Sequence, residues 1–484
     1  MQTPVIPLIV RGKIIESDLV EFAGRGGGCS FRTPDVHRFV DQLPLRGLGN
    51  FKDIHALKTE EIIDFLVGFG KRLDVGTNPH LRQARELSYD TAPVTPPILD
   101  DEYEALNHFF SRDLLEDMIE GERVYFDGWV RTPKPNGRVC SIRAFGARSL
   151  HIVAGNSPLV SAMTIARSAL TRGDAIIKSP SNDPFTAAAV VRSLCEYAPD
   201  HPVTKHLSVA YWKGGDESFE RRFYMPANIE KILAWGGFAS VKHVTKYIQP
   251  GLELISLDPK RSISVIGAET FNTEESMQAA AVRVAADIGG LNQVGCVNAR
   301  KVYLLTGTES AGLEKANRFG DLAYRAMMAL PERFSTKPKS VDAELKSNVE
   351  ALRFQEDWYN VIGGEDDEGA IIVSQLPEAV SFDASLDNRV ANFIPVDSID
   401  EVAADVDAYT QTVGVYPEAF KRELEDVLPL YGAQRIVSLG YAVLADSAGG
   451  PQDGIEPIRR MTKWIVDENC DALDRGVHPP PWAD

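Results

Sequence analysis

Leu291-Asn292-Gln293-Val294-Gly295-Cys296-Val297-Asn298-Ala299-Arg300 is the stretch around which the chain is organised. It sets one cysteine in a short polar, glycine-containing loop between two segments of different character. Before it, Met277, Ala280, Ala281, Val284, Ala285 and Ile288 recur at helical spacing and stop at Gly289-Gly290. After it, residues 301–305 form an apolar run that predicts a strand. Cys296 is therefore expected on a helix-to-strand connection, where a cleft can meet the thiol and backbone amides and polar neighbours favour the thiolate. A cysteine that only packs is the competing reading, because free cysteine is among the most buried residue types.

At 484 residues the chain exceeds what one core needs, which predicts two large domains. Its net charge of −18, from 51 basic and 69 acidic residues with no basic run, argues against nucleic acid or an anionic membrane as the main partner. A small-molecule substrate is expected instead. Cys29, Cys140, Cys195, Cys296 and Cys470 form no C-x-x-C pair and no zinc-like spacing, so neither a disulfide framework nor a metal site is expected, and the compartment reads as reducing. The apolar run over residues 5–10 is interrupted by Pro7, and nothing approaches the roughly 20 apolar residues of a membrane span. These features together predict a cytoplasmic protein.

The first hundred residues carry little chemistry. Arg25-Gly26-Gly27-Gly28-Cys29 has no strand before it and no Lys-Ser/Thr pair after it, so it reads as a turn rather than a phosphate loop. Residues 59–73 predict a helix with Ile62, Leu66, Phe69 and Leu73 on one face, 93–97 a connector, and 103–119 another helix. Residues 122–130 and 138–145 are β-prone and joined by Pro133-Lys134-Pro135-Asn136-Gly137, which predicts a hairpin: either a projecting arm that another subunit covers or a plain sheet edge.

From Ser149 the pattern alternates strand and helix. Residues 149–154 end in Gly155-Asn156-Ser157-Pro158, and Pro158 opens a helical segment that Gly173 closes. Residues 175–178 lead through 179–184 into a helix over 185–197. Residues 207–212 precede Gly214-Gly215, and 232–235 precede Gly236-Gly237 and a helical stretch through Tyr247. This rhythm predicts a mostly parallel sheet covered on both faces, with ligands at the carboxyl ends of its strands. Glycines just after strands let backbone approach a phosphate, although G-x-G-x-x-G is absent.

In this order the pieces resemble the aldehyde dehydrogenase superfamily, and within it the acyl-CoA reductases of the bioluminescence type, over roughly residues 122–484. Gly155-Asn156-Ser157-Pro158 is similar to the family's oxyanion-binding asparagine turn. Residues 175–181 resemble the strand that ends in the lysine on the cofactor's adenosine side, here Lys178. Gly214-Gly215 with Ile232 to Gly237, which includes Trp235, Gly236 and Gly237, resembles the paired segments flanking the cofactor pyrophosphate. Gln293-x-x-Cys296 resembles the nucleophile loop, and residues 392–396 with 398–406 the later, strand-rich catalytic segment.

The resemblance implies an α/β, aldehyde dehydrogenase-like fold of two doubly wound domains plus an oligomerisation hairpin or arm. Its divisions are an N-terminal helical part of the cofactor domain (1–121), the hairpin (122–147), the dinucleotide-binding domain (148–256), the catalytic domain (257–440) and a C-terminal return (441–484). It implies NADPH-dependent reduction of an acyl-CoA to the aldehyde by a homo-oligomer. Cys296 would attack the acyl carbonyl while Asn156 and the Cys296 amide stabilise the oxyanion. Lys178, Ser181, Gly214, Gly215, Trp235, Gly236 and Gly237 would bind the cofactor. Ser181 stands where an NAD-preferring member has a glutamate, which favours NADPH over NADH; Asp183 is the one nearby acid that would reverse this. Ser256 stands where hydrolytic members carry the water-activating glutamate, with Asp258 or Glu253 the carboxylates if the register slips. A hydrolytic aldehyde dehydrogenase and a catalytically silent protein of the same fold are the alternatives.

Overall fold

Two seven-stranded sheets carry the molecule, and the order of their strands fixes where a ligand can enter. The computed structural model describes residues 3–24, 28–135, 139–257, 260–444 and 449–468. Arg25-Gly26-Gly27, the Asn136-Gly137 part of the expected hairpin turn, Asp258 and Cys470 lie outside the described residues.

The first sheet contains β1 (Leu8–Val10), β2 (Lys13–Ile15), β3 (Arg148–Ile152), β4 (Asp174–Lys178), β5 (Leu207–Ala210), β6 (Lys231–Trp235) and β7 (Glu253–Leu257) in the order β7-β6-β3-β4-β5-β1-β2. Strands β3 to β7 are parallel, and β1 and β2 close the edge in antiparallel register. The chain steps from β3 through β5 in one direction, then returns to lay β6 and β7 on the other side of β3. The carboxyl ends of β3 and β6 therefore frame a topological switch point, the crevice where open α/β sheets take ligands. β4 is buried along its whole length, as expected of a parallel strand covered on both faces.

Helices α1 (Leu159–Leu170) and α2 (Thr186–Tyr197) lie in one core with the N-terminal helices Thr59–Gly70, Pro96–Glu104 and Arg112–Ile119. The expected single helix over 103–119 is broken. Pro96 and Pro97 fill a first helical turn, where no N–H is needed, so that helix starts earlier and ends at Glu104. A 3-10 turn, Leu106–Phe110, then places Leu106 and Phe110 in the core before Ser111 extends the chain. The N-terminal part is also not wholly helical, since it supplies β1, β2 and the antiparallel pair Leu19–Phe22 and Phe31–Pro34.

The second sheet contains β8 (Arg261–Ile266), β9 (Ala299–Leu304), β10 (Tyr359–Gly363), β11 (Ala370–Ser374), β12 (Val390–Pro395), β13 (Thr410–Tyr416) and β14 (Arg435–Ser438) in the order β10-β11-β12-β9-β8-β13-β14. All pairings are parallel except that of β10 with β11. The segment over 398–406, expected to be rich in strand, is the helix Ile399–Asp405, started by a capping box between Ser398 and Glu401.

A third, three-stranded sheet joins Val130–Pro133 and Val139–Gly146 to the C-terminal strand Thr462–Asp467, all antiparallel. The run over 122–130 is not a strand as expected: Arg123–Asp127 is a short helix that buries Phe126 and ends at Gly128. Asp127 explains the choice, because its Oδ1 accepts from the Thr59 amide (2.8 Å) and from the buried Arg172 guanidinium (2.9 Å). No helix among the described residues is long and apolar enough to cross a membrane.

Candidate active site

The carboxyl ends of β3, β4 and β6 face the Cys296 loop across one cavity of about 580 Å³. Two further helices frame it: α3 (Phe238–Thr245) begins directly after Gly237, and α4 (Glu274–Gly289) leads into the loop.

The loop is held from inside. Leu291, Asn292 and Gln293 have φ of 51°, 53° and 65°, a run of left-handed residues without glycine that persists only where surrounding contacts over-determine it. Those contacts are present. The buried Gln293 donates to the Ala299 and Val390 carbonyls and accepts the Val390 amide at 3.0 Å, which ties the loop to β12. Asn298 accepts the Gly295 amide at 3.0 Å and donates to the carbonyls of Asp287, Ile288 and Gly290 at the end of α4. Arg300 donates to the carbonyls of Gln293, Gly295, Asn298 and Leu386. Ser262 on β8 donates to the Cys296 carbonyl at 2.7 Å.

Cys296 is half-buried and lines the cavity. The expectation that its loop favours the thiolate is overturned. Burial and the nearby Asp453 carboxylate push the thiol above its ordinary value, against the opposing pull of the Gln411 side-chain amide and of Arg300.

Asn156 lines the same cavity, and its Nδ2 donates to the Val294 carbonyl at 3.3 Å, leaving the second N–H of that amide for an incoming oxygen. Its buried Oδ1 has no partner. Gly155 before it permits a close approach: a Cβ there would come within 2.2 Å of Asn182 Oδ1, while Asn182 Nδ2 holds the Gly155 carbonyl at 2.9 Å. His151, two residues beyond Ser149 on β3, is buried against Ser149 at 2.8 Å, and burial pushes its pKa down to about 3, so it is a neutral core residue.

Lys178, Ser181, Gly214, Trp235, Gly236 and Gly237 all line the cavity; Gly215 does not. Gly215 instead turns the chain at φ 87° and donates its amide to Glu220 at 3.3 Å. Lys178 is buried with its Nζ 5.4 Å from the Trp212 ring centre, and burial lowers its ammonium to about 8 while Glu220 pulls the other way. Ser181 Oγ meets the Tyr211 hydroxyl at 3.1 Å. Asp183 is excluded from the ligand side: it is buried and its Oδ1 caps α2 through the Thr186 amide (3.1 Å) and hydroxyl (2.7 Å).

The carboxyl end of β7 and the residues next to it differ from expectation. Leu257 and Lys260 line the cavity, whereas Ser256 does not. Glu253 sits at the amino end of β7, away from the crevice, and pairs with Lys231 and Arg460. Asn182, Lys260, Arg300, Gln452 and Asp453 line the cavity without having been singled out. Asp453 carries a sequence signal only as the first half of an Asp-Gly turn, which says nothing of a thiol.

A doubly wound sheet whose switch point faces a cysteine loop on a second α/β sheet, with a three-stranded sheet appended, defines the aldehyde dehydrogenase class of fold. Solved structures agree. The NAD+ complex of an aldehyde dehydrogenase from Bacillus cereus matches with a TM-score of 0.72 at 13% identity, covering 96% of each chain. The NADP-dependent glyceraldehyde-3-phosphate dehydrogenase of Bacillus halodurans C-125, complexed with NADP, matches with a TM-score of 0.70 at 11% identity, covering 97% of this chain and 99% of that one. Within this fold, the sequence model described as "Acyl-CoA reductase (LuxC)" matches residues 54–464, and the chain belongs to that family. The long-chain acyl-protein thioester reductase of Vibrio harveyi is 25% identical over 470 residues, 96% of this chain and 93% of that protein. Long-chain acyl-protein thioester reductase 2 of Photobacterium leiognathi is 29% identical over 364 residues, 74% of this chain and 71% of that protein.

Proposed function

We propose that this chain reduces an acyl thioester to the aldehyde through an acyl-cysteine at Cys296, with NADPH as the reductant. The observation that carries the reading is the single cavity that joins Cys296 and Asn156 to an open, glycine-lined crevice at the switch point. The residues of that crevice fit a dinucleotide. A Cβ at Gly214 or Gly237 would meet nothing within 4 Å, so backbone there borders free space, and Gly237 opens α3, whose first amides suit a pyrophosphate. When bound, the cofactor supplies hydride.

The chain's own residues do the rest. Cys296 Sγ attacks the acyl carbonyl and expels the carrier thiol, and Asn156 Nδ2 with the Cys296 amide receives the negative charge that develops on oxygen. Val160, Leu291 and Val294 supply an apolar side of the cavity for the acyl chain. Ser181 with Lys178 on the ligand side, and Asp183 turned inward as a cap, support NADPH over NADH. The carrier in this reading is CoA; an acylated protein is the second candidate, favoured by the names of the relatives. Homo-oligomerisation belongs to the same reading, through the three-stranded sheet whose outer strand leaves Ile465 and Val466 exposed, and light scattering measures it.

The test is aldehyde formation and cofactor consumption with a series of acyl-CoA lengths and with an acylated carrier protein, alongside intact mass after thioester alone. Cys296→Ala takes up no acyl group, loses several orders of magnitude in rate, and still binds cofactor. Retention of more than a few per cent of activity refutes the assignment. Oxidation of free aldehyde to acid as the dominant activity establishes the hydrolytic alternative, and absence of acyl uptake by the wild type establishes a silent protein.

A further inference from the structure

The attacking form of a cysteine is its thiolate, so a group that takes the Cys296 proton serves the reaction, and the described residues of the segment that resembles the base-bearing stretch bring Leu257 and Lys260 to the cavity. Among the described residues lining that cavity, Asp453 is the one carboxylate. It sits at the tip of a two-residue turn closed by Gln452 and Ile455 (2.7 and 3.0 Å), with Asp453 and Gly454 at φ 52° and 74°. The Asp-Gly pair explains the turn by conformation alone. It does not explain where the carboxylate points.

That carboxylate accepts from Nε2 of Gln411, a buried residue at the start of β13, and the same side-chain amide reaches the Cys296 thiol. Arg167, buried on α1, donates to Gln452 at 2.9 Å and lies within the field of Asp453. Among the described residues, the charged groups that line the cavity with the thiol are Asp453, Lys178, Lys260 and Arg300, of which Asp453 and Arg300 act on the thiol itself.

We propose that Asp453 is the proton shuttle of this site, a role that rests on the thioester-reductase reading above. As Cys296 Sγ forms its bond to the acyl carbon, its proton passes to the Asp453 carboxylate. The tetrahedral oxyanion collapses, the bond from the acyl carbon to the carrier sulfur breaks, and Asp453 hands the proton to the departing thiolate. After hydride from NADPH reaches the acyl carbon, the carbon–Sγ bond breaks to give aldehyde and the Cys296 thiolate. One proton from water, delivered by way of Asp453, restores the thiol. The balance is acyl thioester, NADPH and one proton in, and aldehyde, free carrier thiol and NADP+ out.

Asp453→Asn in the full-length protein separates this role from a structural one, because Asn-Gly serves the same turn. With acyl-CoA and NADPH, aldehyde formation falls by about 10²-fold, as expected for loss of a general acid–base group. Alkylation of Cys296 by iodoacetamide at neutral pH, read by intact mass, becomes faster, because a negative charge no longer opposes the thiolate. Asp453→Glu recovers part of the aldehyde rate. Aldehyde formation within threefold of wild type in Asp453→Asn overturns the proposal, and so does a parallel loss of both aldehyde formation and alkylation, the mark of a disturbed loop. Wild-type protein that takes no acyl group from the thioester refutes the reductase reading and the shuttle with it. That failure is distinguishable, since the alkylation contrast between wild type and variant involves no acyl chemistry.

Discussion

Replacing Asn298 tests what holds the Cys296 loop. Its side chain is 0% exposed, accepts the Gly295 amide at 3.0 Å and donates to three carbonyls at the end of α4, between 2.9 and 3.4 Å. Asn298→Ala leaves the Gly295 N–H without its acceptor and the carbonyls without their shared donor. A buried polar group left unsatisfied costs about 1–3 kcal/mol, and the 3.4 Å contact counts for little, so the expected loss is about 2–4 kcal/mol. For a chain of 484 residues unfolding as one unit, at about 2.1 cal/mol/K of unfolding entropy per residue, that is a fall of about 2–4 °C in Tm, read by calorimetry on the whole chain. Aldehyde formation should fall about 10²-fold, because a shift of about 1 Å at the sulfur is enough for that. Asn298→Asp sharpens the argument. Its carboxylate still accepts from Gly295 but turns oxygen toward the helix-end carbonyls, so it should be less stable than the alanine variant at neutral pH. A Tm for Asn298→Asp equal to wild type, or above that of Asn298→Ala, refutes the view that this cage of carbonyls positions the loop.

Three further outcomes follow from particular contacts. Leu257→Glu places a carboxylate on the cavity side of the segment after β7 and should raise the ratio of free acid to aldehyde released from acyl-CoA, whereas Ser256→Glu, at a position that does not line the cavity, should leave that ratio near wild type. Turnover with NADPH should exceed that with NADH by about tenfold or more, the scale of a charge-assisted hydrogen bond, and Ser181→Glu should reverse the order in steady-state kinetics. Burial opposes the charged form of His206, but hydrogen bonds to Asp174 (3.1 Å) and Asp53 (2.9 Å) outweigh it and raise its pKa above 6.5. The stability this contributes is full below 6.5 and is lost as pH rises through the folded value, so Tm should decline as pH rises above 6.5, and His206→Gln should flatten that decline.

Much of the site was legible because its residues lie beside strand ends. Gly155-Asn156, Lys178, Gly214 and Trp235-Gly236-Gly237 each follow a strand of the first sheet within a few residues, so the alternation of strand and helix was enough to gather them at one edge. What escaped came from parts of the chain that local pattern does not relate. Gln411 and Asp453 reach Cys296 only because β13 pairs with β8 and the turn after the second sheet folds back over the loop. The direction of the cysteine's proton equilibrium was lost for the same reason, since it follows first from burial by the surrounding fold and then from Asp453, 157 residues away in sequence. Over 103–119 the cause is local, whereas over 122–130 it is a contact with a residue 45 positions away in sequence. A 3-10 turn in the one and an Asp127–Arg172 contact in the other overrode the intrinsic preference of the residues.

The two halves of the site are built to different stiffness, and this bears on how the reaction proceeds. The Cys296 loop is fixed by Gln293, Asn298, Arg300 and Ser262, whose side chains engage its backbone or its flanks. The opposing Asn156 amide is held by one contact at 3.3 Å and leaves a buried oxygen unpaired. An orphaned acceptor of this kind costs about 1–3 kcal/mol in the resting protein, and a donor on a bound ligand would relieve it. The adjustable element is therefore the Asn156 amide rather than the Cys296 loop, so a bound ligand can reorient Asn156 while the sulfur stays in place. On this view Asn156→Asp, which keeps the acceptor and removes both N–H donors, should bind cofactor nearly as wild type does yet lose about 10²–10³-fold in aldehyde formation, the range seen when one oxyanion donor is removed. Equal losses in cofactor affinity and in rate would mean that Asn156 shapes the crevice as a whole, and the division into a stiff half and an adjustable half would fail.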